Sequence, residues 1–124
     1  MTVGRNAPPA GPRRGEVYVV VFPEIGGHVQ AGRHPAVVIQ ADRFARSGRV
    51  VVCPMTSSPP PDERPRPHRV AVAARESGLD RDGWIKADQL ATVPATVLRG
   101  PVGRLAPDAV RRLDAALRFV LDLP

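Results

Sequence analysis

Three runs in the first half of the chain are rich in β-branched residues: EVYVVVF at Glu16–Phe22, PAVVIQ at Pro35–Gln40 and RVVVCPM at Arg49–Met55. Branching at Cβ crowds a helical turn and suits a pleated surface, so each run predicts a strand. Pro35 opens its strand, where a missing N–H is tolerated, and Pro54 predicts an edge or a bulge. Between the first two strands, Pro23–His34 holds Gly26, Gly27 and Gly32 and no hydrophobic period. It predicts an exposed loop able to approach a ligand closely. Asp42–Ser47 predicts one helical turn, ended by Gly48. The stretch Ser57–Pro67 combines Pro59, Pro60, Pro61, Pro65 and Pro67 with Asp62, Glu63 and Arg64. Such a segment cannot supply a ladder of backbone donors and predicts a mobile, semi-extended loop. His68–Ala73 alternates as a half-buried strand, Gly78 and Gly83 flank a turn, and Trp84–Leu90 returns to strand character.

The final segment changes period. Val110, Leu113, Leu117, Val120 and Leu121 recur at helical spacing, with Arg111, Arg112, Asp114, Arg118 and Asp122 on the remaining surface. They predict a helix over Pro107–Asp122 that packs one face on a sheet. Pro107 suits the first helical position, and Asp108 suits the positive end of the helix dipole. The chain is therefore expected to be mainly β with a C-terminal α-helix, a small antiparallel barrel or strongly coiled sheet covered on one side.

At 124 residues the chain fits one domain,. Residues 1–12, with Gly4, Pro8, Pro9, Gly11 and Pro12, predict a disordered leader, leaving 13–124 as the folded unit. The one cysteine, Cys53, excludes an intrachain disulfide and a cysteine metal cluster, and points to a reduced, cytoplasmic setting,. No apolar run approaches the roughly 18 residues of a membrane span, and no signal-peptide core follows the N-terminus. The net charge of +6 is carried almost wholly by arginine, Lys86 being the only lysine. A polyanionic partner fits that balance, but so does GC-rich coding bias, and charge alone does not choose.

Sequence motifs narrow the choice. RRGEVYVVVFP, the glycine loop and strand GGHVQAGRHPAVVIQ ending at Gln40, VVVCPMTSS at Val50–Ser58, DRDGWIKADQLATV and GRLAPDAVRRLDAALRFVLDL occur in an order and spacing that resemble the MazF/PemK toxins. The resemblance spans Arg13 to Leu123. It implies an SH3-like small β-barrel shared with CcdB-type toxins, a homodimer, and cofactor-free cleavage of single-stranded RNA at short preferred sequences. The implied products carry 2′,3′-cyclic phosphate and 5′-hydroxyl ends. The implied partner is a cognate antitoxin whose flexible tail fills the RNA groove.

RNA transesterification asks for a base near the 2′-hydroxyl, an acid at the leaving 5′-oxygen and donors on the phosphorane. The resemblance assigns an acid/base arginine immediately before the motif's proline and a stabilising threonine at Thr56. Here the arginine's place is taken by His34, with Arg33 one residue earlier. Three readings stay open. His34 takes the acid/base role, since imidazole titrates near neutral pH; Arg33 swings in and His34 supports it; or the site binds RNA or antitoxin without cutting.

Substrate-binding candidates are Gln30, where Val29 replaces an acidic residue usual in the family, Ser57 and Ser58 beside Thr56, Arg64, Arg66 and Arg69 around the proline loop, and Gln89 in the Asp-Gln strand. Each also has a plain reading, as solvated residue, turn former or structural hydrogen bond. Trp84 offers base stacking or simple burial. His28 and His68 lack acidic partners at ligand spacing, so no metal site is expected. A gyrase poison of the CcdB type would rely on a C-terminal Trp-Gly-Ile, which Leu121-Asp122-Leu123-Pro124 does not provide.

Overall fold

A computed structural model describes residues 10–62, 64 and 66–124. Among the described residues there are seven strands: β1 (Glu16–Phe22), β2 (Gly32–Val38), β3 (Arg49–Thr56), β4 (Arg69–Val72), β5 (Gly83–Lys86), β6 (Ala91–Pro94) and β7 (Arg99–Arg104). A short α1 (Ala74–Ser77) precedes β5, and α2 (Pro107–Leu121) closes the chain. Every pairing is antiparallel, in the order β4-β5-β3-β2-β1-β7 with β6 also on β3. β4 and β7 do not pair, so the sheet coils into a barrel-like form that stays open. Among the described residues no helix is long and apolar enough to cross a membrane.

The central strands are buried on both faces, which is why their sequences run continuously apolar instead of alternating. Val17, Val37, Cys53, Met55 and Ile85 pack under α2, meeting Ala109, Leu113, Ala116 and Leu117. Tyr18, Val20, Ala36, Val38, Val50 and Val52 form a second core with Leu98 on the opposite face. Helix α2 starts on Pro107 as the pattern requires. Leu121, expected on its buried side, is 48% exposed, while its neighbour Val120 packs against the core.

Cys53 has no exposed surface. Burial, reinforced by Asp88 and opposed by Arg14, pushes its thiol up to about 12. Since the thiolate is the reactive form, a thiol reagent at pH 8 should leave Cys53 untouched in the native protein and label it stoichiometrically in denaturant. Rapid labelling of the native protein would contradict this packing.

Several elements differ from the sequence reading. β2 starts three residues before Pro35, pairing Gly32, Arg33 and His34 with Phe22, Val21 and Val20 of β1. Pro35 fits inside the strand for a definite reason. Ile39 donates its N–H to Val51, so by the two-residue period the amides of odd-numbered β2 residues aim at β3. The amide that Pro35 lacks would be the next to do so, and the β2–β3 ladder stops at Ala36–Pro54. Pro54 lies in a central strand, at a gap in partners: β3 pairs β6 up to Val52–Ala91 and β5 from Met55–Ile85.

β5 ends at Lys86, and Asp88 and Gln89 sit in a 3-10 turn, Ala87–Gln89, instead of the expected strand. β6 and β7 were not anticipated, because ATVP and RGPVGR carry proline and glycine and little apolar alternation. Pro12 is fully buried, and a Cβ on Gly11 would lie 2.0 Å from the Ala45 carbonyl oxygen. Packing therefore reaches at least to Gly11; residues 1–9 of the expected leader lie outside the described residues.

Candidate active site

The site is built where β2 and β3 part. The β2–β3 ladder ends at Ala36–Pro54, and just beyond it His34 and Thr56 line the same cleft. Neighbours on a strand point to opposite faces. His34 therefore shares the face of its partner Val20, which is buried, while Arg33 shares that of Val21, which is 66% exposed. From these two faces Arg33 and His34 both border one cleft of about 350 Å³, together with Thr56, Ser57 and Ser58 and the turn Leu79–Gly83. A second hollow of about 360 Å³ shares Thr56 and Ser58 and runs past Gln30 to Arg69 and Lys86. Thr56 thus stands on the ridge between two arms of a groove.

Two local features fix that threonine. Its Oγ1 accepts the Ser58 N–H at 3.1 Å, a turn that ends β3 and makes Ser58 part of the groove wall,. On the other side Thr56 pairs with Trp84, and a Cβ on Gly83 would lie 2.7 Å from the Thr56 carbonyl oxygen. Only glycine lets β5 come so close.

His34 is held by the β1–β2 loop. Its Nε2 lies 2.6 Å from Gln30 Nε2 and 2.8 Å from the Ala31 carbonyl oxygen. Lys86 Nζ donates to Gln30 Oε1, and an ammonium can only donate. The Gln30 amide NH₂ is thereby turned toward the imidazole. With that donor on Nε2 the ring proton belongs on Nδ1; with Nε2–H donating to Ala31 instead, Nδ1 is left with a lone pair. Each neutral tautomer has a partner waiting at Nε2, and among the described residues no hydrogen bond reaches Nδ1.

Gln89 clasps the same loop. Its Oε1 accepts the Gln30 N–H at 2.6 Å and its Nε2 donates to the His28 carbonyl at 3.1 Å. Both ends of the amide are occupied by backbone, so Gln89 has a structural hydrogen-bonding role in this arrangement. Of the three arginines around the proline loop, only Arg69 lines the groove. Arg64 and Arg66 converge on Asp62, at 3.5 and 3.1 Å. The Arg64 backbone N–H, then the Arg66 side chain, hold the Asp62 carboxyl below the usual carboxylate range. Exposed pairs of this kind contribute little stability. Trp84 is half-buried on β5 and lines neither arm. Among the described residues no three His, Cys, Asp or Glu side chains cluster as a metal site.

Two contributors were not found by reading the sequence. The turn Leu79–Gly83 closes the far wall of the first arm with Asp80, Arg81 and Asp82, and Asp82 is anchored by the Ala74 N–H at 2.8 Å. Only the flanking glycines hinted at it. Lys86 was visible as the sole lysine, yet nothing local in the sequence tied it to Gln30, 56 residues away.

A family model described as a PemK-like, MazF-like toxin of type II toxin–antitoxin system matches residues 13–121. A curated relative, endoribonuclease MazF9 of Mycobacterium tuberculosis, is 32% identical over 117 residues, covering 90% of this chain and 97% of the relative. Among solved structures, MazF from Deinococcus radiodurans superposes with a TM-score of 0.74 at 22% identity, covering 91% of this chain and 98% of that one. An endoribonuclease in complex with its cognate antitoxin from a mycobacterial species gives a TM-score of 0.73 at 24% identity, covering 92% and 98%. The fold is theirs, and the sequence match runs from the strand before the glycine loop through the closing helix: the chain belongs to the PemK-like, MazF-like toxins of type II toxin–antitoxin systems.

Proposed function

We propose that this protein is an endoribonuclease toxin that cleaves single-stranded RNA at preferred sequences by metal-independent transesterification. It leaves 2′,3′-cyclic phosphate and 5′-hydroxyl ends, acts in the cytoplasm as a homodimer, and is neutralised by a cognate antitoxin. The observation that carries the reading is the meeting of an imidazole and an alcohol, His34 and Thr56, on one groove bordered by Arg33, with Arg69 and Lys86 along its second arm. The relative named an endoribonuclease and the neighbour solved with its antitoxin support it. Val21 and Val97, exposed beside Arg33, offer an apolar surface for a second copy.

In the mechanism proposed, His34 Nδ1 takes the 2′-hydroxyl proton while Nε2–H is held by the Ala31 carbonyl. The 2′-oxygen attacks phosphorus, the Thr56 hydroxyl and Arg33 stabilise the phosphorane's charge, the P–O5′ bond breaks, and the departing 5′-oxygen takes a proton from solvent water. Ser57 and Ser58 are backbone-contact candidates at the same wall. In the other neutral tautomer, with the ring proton on Nδ1, the Gln30 amide N–H donates to Nε2 and holds the imidazole,.

Incubation with a long RNA in excess EDTA tests the reaction class. The rate should stay within about twofold of that in magnesium, since a positioned side chain supplies the proton transfer. Mass spectrometry should find cyclic phosphate on the 3′ ends. Cleavage abolished by chelator, or 3′-hydroxyl ends, would reject the transesterification. RNA bound but left intact would favour a binding-only module.

A further inference from the structure

Arg69 and Lys86 are direct partners across the β4–β5 ladder. Like charges in direct opposition on an antiparallel pair destabilise it. Neither cation forms an ion pair with a carboxylate among the described residues. Arg69 Nε is shut off from solvent and has no hydrogen-bond partner among the described residues. Lys86 Nζ donates to the Gln30 amide oxygen, which leaves further N–H donors on the ammonium. Burial, then Arg69, lower the affinity of that amine for its proton, and Asp88 on the exposed turn only partly offsets them. The fold thus holds two like charges side by side with no carboxylate ion-paired to either among the described residues, on the wall of a hollow of about 360 Å³ that continues the groove from Thr56 and Ser58.

An anion removes that cost, and a phosphodiester suits it, because a guanidinium and an ammonium side by side can engage separate phosphate oxygens. We propose that Arg69 and Lys86 form a backbone subsite that grips a non-scissile phosphodiester of the bound RNA, fixing which nucleotide lies over Thr56. The identity of the ligand rests on the ribonuclease reading. Lys86 also touches Gln30, whose amide N–H reaches His34 Nε2 when the ring proton is on Nδ1. Filling the subsite is therefore coupled to the imidazole through one amide.

The test uses an all-deoxy single-stranded oligonucleotide, which has no 2′-hydroxyl and is not cut, and follows its binding as a function of salt. Lys86→Met should weaken binding about tenfold near 0.1 M salt and reduce the log–log salt slope by about 0.7, the contribution of one phosphate contact on a single strand. Lys86→Arg should behave as wild type. Replacing one phosphodiester at a time by a neutral methylphosphonate should reveal a linkage, away from the cleaved one, that matters to the wild type and not to Lys86→Met. A readout without any variant is available because Lys86 is the sole lysine: after ¹³C-dimethylation its titration should move to higher pH when the oligonucleotide is bound. An unchanged slope, or an unmoved titration, overturns the subsite, as does a Lys86→Met defect confined to antitoxin binding. If RNA is never cleaved while these binding effects appear, the ribonuclease reading falls and the subsite stands.

Discussion

His34→Ala should reduce single-turnover cleavage of a short single-stranded RNA by about 10²–10⁴-fold, the range of a lost general acid or base. Arg33→Ala should cost about tenfold, or ~1.4 kcal/mol, as for one charged contact to a phosphate. The ranking follows from the strand. His34 lies on the face of buried Val20, half-buried and bonded to the loop, whereas Arg33 lies on the opposite, exposed face. Neither residue belongs to the two buried cores, and thermal melts should show both variants folded. A larger loss in Arg33→Ala than in His34→Ala would return the acid/base task to the guanidinium.

Thr56→Val should lose about 10²–10³-fold, the range for one hydrogen-bond donor to a developing oxyanion. The isosteric change also frees the Ser58 N–H that now bonds Oγ1, so part of the loss would come from a loosened turn. Thr56→Ser separates the contributions, because it keeps the hydroxyl for both partners and should retain activity within about tenfold, ~1.4 kcal/mol. If Thr56→Val cut RNA at the wild-type rate, the ridge between the two arms could not be the reaction centre.

The strands that hold this site were legible where their residues are buried on both faces. EVYVVVF and RVVVCPM announce themselves because nothing polar interrupts them, and α2 because its period and its proline agree. β6 and β7 escaped notice because edges and short ladders are stabilised by partners distant in sequence, which no local pattern records. The same distinction holds within the site. Thr56, His34 and Arg33 lie in motifs and could be named in advance. Which of the last two takes the buried face depended on β2 beginning at Gly32, and the clasp of Gln89 on the glycine loop joins residues 59 apart. Reading Gln89 as a strand residue missed the turn that aims its amide backward.

The opening in which this chemistry is proposed to occur owes its width to a subtraction. Two strands that have begun to zip would ordinarily continue for as long as each residue can give and take, and β2 still runs alongside β1 when β3 lets it go. A ring closed on the nitrogen of Pro35 withholds one proton from that exchange. The seam lies unstitched from there on, and a molecule too small to spare a long insertion gains an entrance without adding a single residue.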